Sequence, residues 1–178
     1  MPLYVTGKKM RRLSILSAIV VLTVILLAWP SAENVEHSPP GYAGSRRCKV
    51  CHYEIYESWS KTKHARAFDA LSEQDASRPE CLRCHTTGYR KGGFGSDGNL
   101  VDLRGVQCEA CHGAGLRYSR ASVMRQPALS RELGLTDVDS LTCVRCHNQQ
   151  SPAFKGFAYK AGLQTGTHSQ KRVTATTP

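Results

Sequence analysis

The chain has 178 residues, with 24 Lys and Arg against 14 Asp and Glu, a formal net charge of +10, and 40% hydrophobic residues. Such an excess of positive charge suggests nucleic acid, but Lys8, Lys9, Arg11 and Arg12 all precede one long apolar segment. Beyond that segment 20 basic residues face 14 acidic ones with no nucleic-acid-binding motif among them, so no nucleic-acid partner is expected.

The first predicted element is that segment. Leu13 to Trp29 runs seventeen residues without a charge, after a basic and acid-free Met1 to Arg12. A secretory apolar region is usually about 7 to 15 residues, whereas a membrane-spanning helix needs roughly 17 to 25. A cut after Ala32 would put Pro30 at the third position back, a poor site for a signal peptidase. Residues 1–30 are therefore expected to be a retained transmembrane helix, the alternative being a cleaved signal that leaves a soluble periplasmic protein. Positive charge before the segment, and Glu33 and Glu36 after it, place the N-terminus in the cytoplasm and everything else outside. Residues 31–43, with Pro39-Pro40-Gly41, read as a linker. His37 lies in it and is expected to be a solvated imidazole rather than a ligand.

Residues 44–170 carry the chemistry. C-x-x-C-H occurs four times, at Cys48/Cys51-His52, Cys81/Cys84-His85, Cys108/Cys111-His112 and Cys143/Cys146-His147, and uses all eight cysteines. Thiols three residues apart lie about one helical turn from each other, so both can form thioethers to one edge of a porphyrin while the adjacent histidine reaches its iron. Zinc ribbons and redox dithiols also use C-x-x-C, but neither needs the histidine. With 7 histidines in the chain, that adjacency at all four sites by chance has odds of roughly a few in a million. The expectation is four covalently attached c-type haems, and it leaves no cysteine for a disulfide. Macrocycles must then supply much of the apolar core of a domain this small. Motif spacings of 33, 27 and 35 residues are too irregular for a solenoid, so the motifs share one core.

Around the motifs, 47–71 is expected to be mostly helical: His52, Ile55 and Trp59 fall on one face, and His64, Phe68 and Leu71 on another, with Ser60 or Thr62 as cap. His64 shares that face with apolar residues, where it is expected to ligate iron. Pro79 and Gly88 bracket a short helix carrying Cys81 to His85. Lys91 to Gly98 is a turn-rich loop that has room for a short strand pair. Gly113 and Gly115 close the third motif's helix, Asp139 or Ser140 caps the fourth, and 171–178 is a frayed polar tail. Arg46, Arg47, Lys49, Arg83 and Arg145, inside or beside the motifs, are expected to pair with haem propionates.

Four irons have eight axial positions, and His52, His85, His112 and His147 fill four. The exported part offers His37, His64, His168 and the one methionine Met124 for the rest. With His37 discounted, one iron lacks a protein ligand on its distal face unless His37 folds back or a lysine or tyrosine serves. Met124 is weighed both as ligand and as core filler. A six-coordinate haem exchanges electrons without binding substrate, whereas an open one can take a small molecule such as nitric oxide.

The residues between motifs resemble the tetrahaem cytochrome c-554 family from about Gly44 to His168. The resemblance is carried by C-K-V-C-H with Trp59 and K-H-A-R-A-F around His64, by C-L-R-C-H-T-T-G-Y, by G-V-Q-C-E-A-C-H-G-A-G, and by C-V-R-C-H-N-Q-Q-S-P-A-F followed by His168. It implies a mainly α, haem-dominated multihaem cytochrome c fold with long loops and haems in stacked and near-perpendicular pairs. Three haems would be bis-histidine and one five-coordinate, with distal ligands at His64 and His168 and the open site at His85. The family's further histidine shortly after C-H-G-x-G is absent here, so either Met124 ligates or two irons are open.

The function expected is electron transfer in a respiratory or nitrogen redox chain. The protein would face the periplasm from an inner-membrane anchor and exchange electrons with redox partner proteins, a quinol-linked membrane donor or a periplasmic oxidoreductase. The alternative is turnover of nitric oxide, nitrite or hydroxylamine at an open haem. No C-x-x-C-K motif of the cytochrome c nitrite reductase kind is present, and no catalytic acid or base stands out. A zinc-binding interaction module is the third reading.

Overall fold

The computed structural model describes residues 41–97 and 101–168. The N-terminal segment, most of the linker with His37, and the tail lie outside them. Among the described residues no helix is long and apolar enough to cross a membrane.

Among the described residues eight short α-helices occur in chain order: α1 Ser45–Lys49, α2 Tyr53–Ser60, α3 Pro79–His85, α4 Cys108–His112, α5 Ala121–Met124, α6 Pro127–Glu132, α7 Ser140–Val144 and α8 Tyr159–Gly166. Two 3-10 turns, Phe68–Ala70 and Asp75–Ser77, separate α2 from α3. The longest of these have eight residues, well under the roughly 12 to 15 at which an isolated helix becomes even marginal in water. Long-range bonds must therefore hold them.

The segment 103–109 makes most of those bonds. Leu103 is 1% exposed, and its carbonyl accepts from the Thr87 N–H at 2.9 Å. The fully buried Thr87 hydroxyl donates to the Gly105 carbonyl and accepts from the Gln107 N–H, both at 2.9 Å. Gly105 donates to the His85 carbonyl (3.1 Å) and Val106 to the His64 carbonyl (2.9 Å), while the Val106 carbonyl accepts from Trp59 Nε1 at 2.9 Å. The Gln107 side chain accepts from the Ser45 N–H at 2.8 Å and donates to the carbonyls of Asp102 and Arg104. One stretch of chain thus ties together α1, the end of α2, the His64 turn and the end of α3.

Glu109, inside the third C-x-x-C-H and only 3% exposed, extends this hub. Its carboxylate accepts from the N–H groups of Ala43 (2.8 Å), Gly44 (2.7 Å) and Gly115 (2.6 Å), fixing the approach to α1 against the exit from α4. Leu116 then donates to the Gly41 carbonyl, and the Tyr118 hydroxyl to the Gly113 carbonyl, both at 2.9 Å.

The sequence places the motif helices well but the intervening structure less so. Pro79 opens α3, Gly113 ends α4 with φ +84°, and the Asp139 carboxylate caps α7 by accepting from the Thr142 N–H at 2.8 Å. The second half of the helix expected over 47–71 is instead a series of turns. Thr62 does cap, but it caps a turn: its hydroxyl donates to the Trp59 carbonyl and accepts from the Ala65 N–H. The His64 carbonyl, which a continuing helix would offer to Phe68, is taken by Ala67 and by the distant Val106. The room left for a strand pair is used by turns, and the described residues hold a single antiparallel bridge between Thr86 and Arg104.

Among the described residues the buried apolar side chains are Leu82, Leu103, Tyr118, Val123 and Leu133. Five such residues are a thin core for a domain of this length, in keeping with a core that prosthetic groups complete.

Candidate haem-ligation site

Each thiol pair sits on or against a short helix. Cys81, Cys84 and His85 lie within α3, and the third motif is α4 itself; Cys48 lies in α1 and Cys143 in α7, with the second cysteine and the histidine just beyond each. All eight thiols are free.

The pairs also meet one another. Cys48 and Cys108 interact directly, which lowers the Cys48 thiol and raises that of Cys108. Cys84 and Cys146 do the same, bringing Cys84 down to about 6. Burial raises Cys111, with Cys143 close enough to add to the shift, and Arg145 Nη2 donates to the Ala110 carbonyl at 3.3 Å. The first motif therefore neighbours the third, the third the fourth, and the fourth the second. Among the described residues no three His, Cys, Asp or Glu side chains converge on a single metal-ion site, so the thiols do not assemble the tetrahedral set that a zinc ribbon requires.

Two histidines from outside the motifs return to them. The His64 ring lies 5.8 Å from that of His147, and the His168 ring 6.2 Å from that of His112, centre to centre. Ring pairs at these separations also occur as plain packing. Here, however, each joins a motif histidine to a non-motif one. A metal–imidazole bond is about 2 Å, and the ring centre lies about 1 Å behind the ligating nitrogen, so two imidazoles on opposite sides of one iron have centres about 6 Å apart.

Backbone carbonyls orient the rings. The backbones of Gly166 and Thr136 lie close to the His64 and His112 rings, and His85 Nδ1 lies 2.5 Å from the Ala67 carbonyl, within hydrogen-bond reach. Such a bond at one ring nitrogen fixes the tautomer and leaves the other as a ligand. Burial, together with neighbouring imidazoles, holds His64 and His112 below the usual imidazole range, keeping them neutral at pH 7, the form that a metal ligand requires. His147 is stacked on Phe157, with ring centres 4.5 Å apart. The donor chemistry and spacing fit c-type haem: each C-x-x-C would supply a pair of thioether sulfurs, each motif histidine would be a ligand, and His64 and His168 would supply second imidazoles beside His147 and His112.

The other predicted side chains are less united. Met124 is half-buried at the end of α5. Lys49 is engaged by Glu57 at 3.1 Å and lies over the Tyr53 and Tyr56 rings. Arg47 lines a groove of about 340 Å³ with Tyr42, Ala43, Val101, Leu116, Ser119 and Arg120. Glu109, Gln107 and Thr87 carry no motif signal in the sequence beyond an acid lodged between two motif cysteines.

The family model for cytochrome c554 and c-prime matches residues 47–113. Cytochrome c-554 of Nitrosomonas europaea is 27% identical over 123 residues, which are 60% of this chain and 52% of the relative. The chain thus spans about half the length of that curated relative. The reduced-state structure of cytochrome c554 from the same organism superposes with a TM-score of 0.53 at 20% identity, over 74% of this chain and 86% of that one. With its C-x-x-C-H histidines and their partners so arranged, the chain is similar to the cytochrome c-554 family in its motif region and in its fold.

Proposed function

We propose that the chain is a tetrahaem c-type cytochrome that passes single electrons between a quinol-linked membrane donor or periplasmic oxidoreductase and downstream acceptors. Similarity to that family supports covalently bound c-type haem; four is the number of C-x-x-C-H motifs. When bound, haem supplies the one-electron chemistry. The polypeptide would fix spacing and ligation: the thiol neighbours suggest the order second, fourth, third, first, and His64 with His147 and His168 with His112 would hold the inner two haems, a ligand set suited to electron transfer with little rearrangement. The single observation carrying this reading is the pairing of His64 with His147 and of His168 with His112. Residues 1–30 would tether the protein to the inner membrane, with the haem domain in the periplasm.

The second reading, chemistry on nitric oxide, nitrite or hydroxylamine, rests on His85, which has no second histidine ring paired with it among the described residues. Haem stoichiometry by alkaline pyridine spectra and intact mass should give four per chain. Reduced protein should be reoxidised by a cytochrome acceptor without sustained turnover of any of the three nitrogen compounds; sustained turnover would favour the second reading. His64→Ala and His168→Ala should each convert one low-spin haem to high-spin.

A further inference from the structure

Six histidines lie in the described residues, and the two ring pairs use four of them. The remaining two, His52 and His85, belong to the first and second motifs, the opposite ends of the thiol-neighbour order. The second motif's open face is already part of the reading above. The first motif is the new case.

The chain beyond the third motif passes against the approach to the first, and the stretch in contact there offers no strong donor. Leu116 is bonded to Gly41, and the groove between 42–47 and 116–120 is lined by neither histidine nor methionine. The tyrosines there are poor candidates as phenolates. Burial pushes Tyr42 up, and Tyr118, also raised by burial, spends its hydroxyl on the Gly113 carbonyl. Lys49, the lysine within the motif, is held in its ion pair with Glu57.

We propose that the iron of the first motif is a second exchangeable site, so that the array has a ligand-binding haem at each end and two closed bis-histidine relays between them. The class of ligand is the small molecules that bind open haem, carbon monoxide or nitric oxide in the ferrous state. A molecule held at one end is then coupled by electrons alone to a molecule held at the other. The inference rests on the four-haem reading.

The test is a carbon monoxide titration of the fully reduced full-length protein, with electron paramagnetic resonance of the oxidised form. Two bound molecules per chain and two high-spin irons are expected. Four haems with one bound molecule overturns the second site and leaves the four-haem reading intact; fewer than four haems overturns that reading and the inference with it. Cys48→Ser with Cys51→Ser should lower haem to three and carbon monoxide to one; three haems that still bind two overturns the assignment. Met124→Ala and His37→Ala, which leave every motif in place, should both keep the count at two. A count of one that rises to two in either variant identifies that side chain as the sixth ligand and refutes the proposal.

Discussion

Glu109 shows how much one side chain can organise. A carboxylate with three backbone N–H donors is a strongly satisfied buried charge, and each donor is left without its acceptor if the side chain is cut back. Glu109→Ala should therefore cost about 3 kcal/mol or more, a large share of the roughly 5 to 15 kcal/mol that a domain has. Glu109→Gln should cost less, because its amide oxygen still accepts while its NH2 must face a donor. Thermal melts of the haem-loaded proteins check both. Titration at His64 and His112 has a definite sign. His64 and His112 are depressed, so their contribution is complete above the unfolded imidazole value of about 6.5 and is lost as pH falls through the lower folded value. The low-spin bands of the inner haems should persist as pH drops through that range and convert to high-spin only in more acid solution. Conversion at or above the ordinary imidazole value would contradict the assignment.

At the scale of elements, the motif helices are short enough that their ends decide them. Gly113 stops α4 with φ +84°, and a Cβ there would run into the Gly134 carbonyl as well as adopt the left-handed region. Gly113→Ala should lower stability by more than the roughly 1 kcal/mol of an ordinary glycine replacement and reduce haem loading on the third motif, as read by intact mass. These ends were legible beforehand because their signals are local: Pro79 before α3, Gly113 after α4 and Asp139 ahead of α7 each act within one turn. The stretch from Ser60 to Leu71 was not legible. Its periodicity is helical, but the His64 carbonyl is claimed by Val106, some forty residues away, and no window of local sequence contains that competition. The site divides along the same line. The expected thiol pairs and proximal histidines follow from the motif alone, and His64 and His168 are candidates from counting donors, whereas which motif histidine each of the two rings lies beside needed the fold.

The whole molecule poses the question of what makes it fold. Five buried apolar side chains among the described residues and helices of at most eight residues leave little for the polypeptide to gain by collapsing alone. The long-range hydrogen bonds through Thr87, Gln107 and Glu109 give specificity, but each nets only about 1 kcal/mol against water. Four macrocycles would bury their own faces and the apolar flanks of the motifs, and the paired imidazoles would cross-link distant parts of the chain through iron. Folding and cofactor attachment are then one event, as in small metal-dependent domains. The chain made without cytochrome maturation, or with all eight cysteines replaced by serine, should show a far-ultraviolet circular dichroism spectrum with little helix and no cooperative melt. The matured protein should show both helix and a sharp transition. A haem-free chain with native helix content and a cooperative melt would mean that the polypeptide core suffices, and the haems would then be passengers on a fold that stands without them.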